Sequence, residues 1–83
     1  MLKTLENLFE LARARKNNPV NDSYTNKLLS DKSLSKDKVL EEINELVEAV
    51  EKNSNKIHEA ADVFYHLIIY LEANEIKIED VME

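Results

Sequence analysis

The chain of 83 residues has no glycine, no cysteine and a single proline, Pro19. Without cysteine there are no disulfides, no thiolate–zinc staples and no thiol nucleophile. Without glycine there is no low-cost residue for left-handed turns, so tight hairpins are disfavoured and the sequence reads as all-α. A long apolar run is also missing. The richest stretch, Ala60 to Leu71, carries Asp62 and His66 and is too short to cross a bilayer. Met1 to Leu11 alternates charge with leucine and has no signal-like apolar core. Positive charge is scarce as well, with 11 Lys and Arg against 17 Asp and Glu and a net charge of −6. A nucleic-acid partner needs a basic face, so none is expected, and a phosphate ligand would need cations to approach. The expectation is a soluble cytoplasmic protein with no membrane partner, forming one small domain over residues 1–83. A domain of this size buries only about 60% of its unfolded surface, which makes oligomerisation the natural support.

What is present is helical periodicity. Leu5, Leu8, Phe9, Leu11 and Ala12 mark a first helix over about Leu2 to Lys16. A turn-rich connection from Asn17 to Asp22 follows, and Ser23 is placed to cap a short helix ending near Ser30. Asp31 to Asp37 is polar and is expected to be the mobile stretch. A third helix is expected from about Lys36 to Lys52, where Val39, Leu40, Ile43, Leu46, Val47 and Val50 fall within about 120° of one another. Glu42 and Glu45 lie at an edge of that stripe, with Glu41 and Glu48 turned towards solvent. After the turn Asn53-Ser54-Asn55, a fourth helix is expected from about Lys56 to Ala73, apolar nearly all round and therefore buried nearly all round. Glu79 to Glu83 would add a terminal turn.

Two acidic motifs stand out on the last two long helices. Glu41-Glu42-Ile43-Asn44-Glu45 alone would ordinarily be a solvated face, because glutamate is a good helix former. Glu59-Ala60-Ala61-Asp62 is different, since it opens the apolar stretch. Buried carboxylates must be paired, protonated or bound to a cation. Four acids converging from two helices would suit a hard divalent metal such as magnesium or manganese. A metal-free alternative is a buried hydrogen-bonded pair of Asp62 and His66, four residues apart. His66 is read as a satisfied core residue or an outer partner rather than a ligand. His58 is read as a surface residue.

Taken together, Ser23-Tyr24-Thr25-Asn26-Lys27-Leu28, Lys38 ahead of the first acidic motif, and Glu59-Ala60-Ala61-Asp62-Val63-Phe64-Tyr65-His66-Leu67 resemble the phosphoribosyl-ATP pyrophosphatase family. The two acidic motifs by themselves resemble only the wider MazG-like nucleotide pyrophosphohydrolases. The resemblance implies an all-α MazG-like domain of about four helices that completes a four-helix bundle by dimerisation, as a homodimer or higher homo-oligomer. It implies magnesium-dependent hydrolysis of phosphoribosyl-ATP to phosphoribosyl-AMP and pyrophosphate, the second step of histidine biosynthesis. Carried over by position, Glu42, Glu45, Glu59 and Asp62 become metal ligands and catalytic acids, with Glu41 alongside them. Ser23, Tyr24, Thr25, Lys27, Lys38 and Arg15 become substrate-binding residues, with Lys16 completing a basic pair.

This chain departs from the family where glycine is common. Asp22, the Asp31 to Ser35 stretch and Leu40 stand at those places, which touches loop geometry and nucleotide preference rather than the metal motif. Two other readings stand beside the first. One is a house-cleaning hydrolase of (d)NTPs on the same scaffold, and the other a non-catalytic helical dimerisation module.

Overall fold

The computed structural model describes residues 2–20 and 23–83, and it contains five helices and no strand among them. They are α1 (Leu2–Asn17), α2 (Tyr24–Ser30), α3 (Lys32–Lys52), α4 (Lys56–Ala73) and α5 (Ile78–Met82). Met1, and Asn21 and Asp22 of the expected connection, lie outside the described residues. The fourth helix begins and ends where its periodicity places it, and the short piece after it forms the fifth.

The expectation of a mobile segment from Asp31 to Asp37 is overturned. Asp31 is the N-cap of α3, its carboxylate accepting the Leu34 N–H at 3.0 Å, and the helix runs from Lys32. Leu34 packs on the core and Ser35 is buried, so these two positions anchor a turn whose other residues face water. Polar composition in the first turns of a helix had disguised it, because Ser, Asp and Lys there serve capping and solvation. Ser23 caps α2 as its position suggested, accepting the Asn26 N–H.

α4 is the central element. α3 lies along it as an antiparallel partner across the three-residue turn, and α1 and α2 also pack on it, with α2 touching α3 as well. The core joins Ala12 of α1, Leu28 and Leu29 of α2, and Ile69 and Ala73 of α4, with Leu34 and Tyr65 packed against them. α4 is not buried all round within one chain. His66, Ile68, Ile69 and Ala73 are buried, whereas Phe64 and Leu67 are exposed and Ile57 is 88% exposed. Leu40, Ile43, Val47 and Val50 of α3 are exposed too. The stripe read from the sequence therefore divides, with Val39 buried, Leu46 half-buried and these four residues exposed, while Ala49, outside the stripe, is buried.

Side-chain bridges fasten the ends. Arg13 of α1 holds Glu79 of α5 in a two-pronged ion pair and keeps its carboxyl down at about 2. Lys16 donates to the Glu72 carbonyl at the end of α4, at 2.8 Å. Asn26 secures the connection before α2, accepting the Val20 N–H and donating to the Arg15 carbonyl.

The missing glycines reappear as a structural fact at two helix ends. After α3, the Ser54 N–H bonds the Ala49 carbonyl and the Asn53 N–H bonds that of Val50. After α4, Ile76 bonds Leu71 and Glu75 bonds Glu72 in the same pattern. Both are Schellman terminations, which place one residue in the left-handed region. Here those residues are Asn53 (φ 54°) and Glu75 (φ 59°). Asparagine tolerates that region, whereas a long side chain pays a steric penalty. Glu75→Gly should therefore stabilise the chain by about 0.5–1 kcal/mol, read as a higher denaturation midpoint, the gain in φ freedom outweighing the entropy of glycine. An unchanged or lower midpoint would mean that Glu75 carries little strain.

Candidate active site

The antiparallel pairing of α3 with α4 sets the two acidic motifs against each other. One oxygen from each of Glu42, Glu45 and Glu59 can be chosen so that all three lie within 4.8 Å of one another. Asp62 belongs to an overlapping group on α4, with Glu59 and His58, within the same limit. The four acids singled out from the sequence thus form a chain hinged on Glu59. His58 was taken for a surface residue off this face. It is indeed largely exposed, yet its Nε2 lies 3.4 Å from the Asp62 carboxylate. The i,i+4 spacing of His58 and Asp62 was the available signal for that contact.

Like charges are crowded together in this cluster. One oxygen of Glu42 and one of Glu59 are buried with no hydrogen-bond partner among the described residues. Burial pushes the Glu42 carboxyl above the usual range and the neighbouring Glu45 charge adds to it, while His66 opposes the shift. Burial likewise raises Glu59, helped by Glu45 and Asp62. Buried, unpartnered oxygens on neighbouring carboxylates are what a bound cation would satisfy. An all-oxygen donor set fits magnesium or manganese, so Glu42, Glu45, Glu59 and Asp62 could hold such an ion. Glu41 is exposed and pairs with Lys38 at 3.2 Å, and this contact raises the lysine.

The Ser23–Lys27 segment stands beside the cluster rather than in it. Tyr24 reaches across to α4, its hydroxyl 2.9 Å from His66 Nε2. The other ring nitrogen of His66, Nδ1, lies 2.8 Å from the Asp62 backbone carbonyl. His66 therefore does bond Asp62, but at its backbone carbonyl, while the Asp62 carboxylate lies against His58. Thr25 is buried and bonded to the Tyr65 hydroxyl, which clamps α2 to α4. Arg15 donates to Ser23 Oγ at 3.0 Å, so the basic pair divides, with Arg15 on α2 and Lys16 on the end of α4. Lys27 is exposed. Together with Lys16, Pro19, Ser23 and Tyr24 it lines a groove of about 610 Å3. Asn26 and Tyr65, which stand in the two motifs but were assigned no role there, set the position of this segment, Asn26 through Val20 and Arg15 and Tyr65 through Thr25.

An acidic patch able to hold a hard cation thus lies close to a groove bordered by lysines, an arrangement suited to a metal-chelated, phosphate-rich ligand. Comparison with known proteins points the same way. Residues 2–83 match the family described as phosphoribosyl-ATP pyrophosphohydrolase. Proteins named phosphoribosyl-ATP pyrophosphatase are among its relatives. One from Bacillus cereus (strain AH187) is 42% identical over 81 residues, covering 92% of this chain and 74% of the relative. Another, from Bacillus mycoides (strain KBAB4), is 42% identical over 84 residues, covering 95% and 77%. A third, from Bacillus cytotoxicus, is 42% identical over 87 residues, covering 98% and 78%. No solved structure matches the chain significantly. With the family match running over nearly every residue and relatives this similar along most of their own length, the chain belongs to the phosphoribosyl-ATP pyrophosphohydrolase family.

Proposed function

We propose that this chain hydrolyses phosphoribosyl-ATP to phosphoribosyl-AMP and pyrophosphate, with a divalent metal, as the second step of histidine biosynthesis. Family membership supports the reaction, and it sets aside the reading of a non-catalytic helical module. The observation that carries the metal is the set of facing carboxylates with two buried, unpartnered oxygens. Glu42, Glu45, Glu59 and Asp62 would hold magnesium, with manganese as a substitute. When bound, the ion would neutralise the phosphate oxygens and stabilise charge on the departing pyrophosphate.

The remaining roles fall to the chain's own groups. Lys38 and Lys27, with Arg15 and the Ser23–Thr25 segment, would bind and orient the nucleotide beside the acids. Water attacks the α-phosphorus in line with the bond to the departing pyrophosphate. A carboxylate takes the proton, and Glu41 is the candidate, since it lies one residue from Glu42 and outside the ligand set. The whole of 1–83 acts as one phosphoribosyl-ATP pyrophosphatase-like domain in this reading. No described helix is long and apolar enough to cross a membrane, which agrees with a cytoplasmic place beside other biosynthetic enzymes.

The same proposal includes a second copy of the chain. Leu40, Ile43, Val47 and Val50 of α3 and Ile57, Phe64 and Leu67 of α4 are exposed on the two long antiparallel helices. Apposing this pair with its equal would give a four-helix bundle, burying side chains that a monomer leaves in water.

Three tests follow. Pyrophosphate release from phosphoribosyl-ATP should need magnesium, and Glu42→Gln and Asp62→Asn should each lower kcat/KM by about 100-fold or more, with helical content unchanged. Near-normal rates in both variants would remove these acids from the site, and turnover of dNTPs alone would move the chain to the house-cleaning branch.

The second test reads stability. A carboxyl raised on folding binds its proton more tightly in the folded chain, so its ionisation destabilises at neutral pH. That cost is complete above the folded-state pKa and vanishes below the unfolded value of about 4.3. Without divalent ions, Glu42→Gln should therefore melt higher than wild type at pH 7, with the difference closing towards pH 4. Magnesium at about a hundredfold excess over Kd should stabilise wild type by about 2.7 kcal/mol and the variant far less. Equal magnesium responses would argue against Glu42 as a ligand.

The third reads mass. Sedimentation should show a dimer or larger assembly for wild type, and Val47→Lys should shift it towards monomer. A wild-type monomer at micromolar concentration would sink the bundle.

A further inference from the structure

At the end of α1 the helical hydrogen-bond pattern meets the chain's single proline. The Asn18 N–H bonds the Ala14 carbonyl at 2.8 Å, in the ordinary helical step. The next step would bring the N–H of residue 19 to the Arg15 carbonyl, but Pro19 has none to give. The donor comes instead from a side chain on α2. The Asn26 amide nitrogen donates to the Arg15 carbonyl at 2.7 Å, and the Asn26 amide oxygen accepts the Val20 N–H at 2.8 Å. One carboxamide thus serves as an extra peptide unit, joining the end of α1 and the residue after Pro19 to the first turn of α2. Ser23 Oγ closes the circuit, accepting from the Arg15 guanidinium at 3.0 Å and from the Asn26 N–H at 3.4 Å.

The groove of about 610 Å3 is made by the two pieces of chain that this carboxamide ties together. Lys16, Pro19 and Val20 line it from before α2, and Tyr24 and Lys27 line it from α2 itself. The α2 piece is fixed to α4 through Tyr24 and Thr25. Pro19 and Val20 belong to no helix. Val20 is tied to α2 through Asn26, and by a longer bond from the Ser23 N–H to its carbonyl, at 3.4 Å. We infer that Asn26 is a positioning residue for nucleotide binding, setting the separation of the groove's two pieces by supplying the donor that Pro19 lacks. The inference rests on the nucleotide reading given above. With that tie cut, the Pro19–Val20 piece would take up several positions, few of them matching the nucleotide. Its ordering would then be charged to binding and not to the chemical step at the acids.

The test begins with wild-type turnover of phosphoribosyl-ATP. Silence there would overturn the reaction, and this role with it. With turnover present, Asn26→Ala should raise KM about three- to tenfold, the range for losing one or two such bonds, with kcat within about twofold. A wild-type KM, or a loss confined to kcat, would overturn the role while leaving the reaction standing.

A direct contact with the substrate would also raise KM, so a readout without substrate separates the two. In the free protein, hydrogen exchange at the Val20 amide, followed by NMR, should quicken in Asn26→Ala by a similar factor. An unchanged Val20 rate beside a raised KM would make Asn26 a substrate contact and overturn the positioning role. Should Asn26→Ala fail to fold, Asn26→Gln keeps both amide groups and adds one methylene. It should raise KM as well, since the role depends on reach, and a wild-type KM in that variant would sink the idea.

Discussion

Carboxylates brought within a few ångströms of one another, with two of their oxygens buried, repel in the free chain, and the fold has to hold them together against that force. The three-residue turn between α3 and α4 sets the register that opposes the two motifs. The packing of α1 and α2 on α4 holds that helix in place. Hydrophobic burial in this small core supplies the opposing free energy, through Leu28, Leu29 and Ile69. A structure strained around an acidic cluster is stabilised by whatever cation it binds, so ligand capture and folding become linked.

The clamps between α2 and α4 are the second requirement. Tyr24–His66 and Thr25–Tyr65 join residues 42 and 40 positions apart, through hydroxyls at neighbouring positions of a seven-residue helix. α2 is too short to be stable on its own, so tertiary bonds and Leu28 and Leu29 determine that it forms. The segment that borders the groove is therefore only as well placed as its grip on α4. Lys16 and Asn26 carry the same logic to the ends of the neighbouring elements.

Much of this was legible in the residues. Periodicity located α1 and α4 because each carries a continuous apolar face, and the spacing of the acids placed Glu42, Glu45 and Glu59 where they could meet. Residues 32–35 were misread, since Leu34 stands as a lone apolar position among Lys32, Ser33 and Ser35, and the most deeply buried of them, Ser35, is polar. His58 is a surface residue as read, and its i,i+4 spacing to Asp62 is the signal for the one contact that reading left out. The bond of Tyr65 to Thr25 could not be read, since it joins positions 40 apart, and those of Asn26 to Val20 and Arg15 depend on the path of the connection before α2. Exposed residues such as Ile57 and Val47 look like core in the sequence, because a pattern records that a side chain is apolar and not whether this fold covers it.

The two Schellman turns have a consequence for the state the structure does not depict. Asn53 and Glu75 accept a left-handed backbone that glycine would adopt freely, and the folded chain bears the strain. A chain without a single glycine, however, carries a β-carbon at every position, so its denatured ensemble samples fewer backbone shapes. Less entropy is then surrendered on folding. The strain at two helix ends and the stiffness of the disordered chain are opposite faces of one compositional choice, and for a domain with so small a core the second bears on every residue.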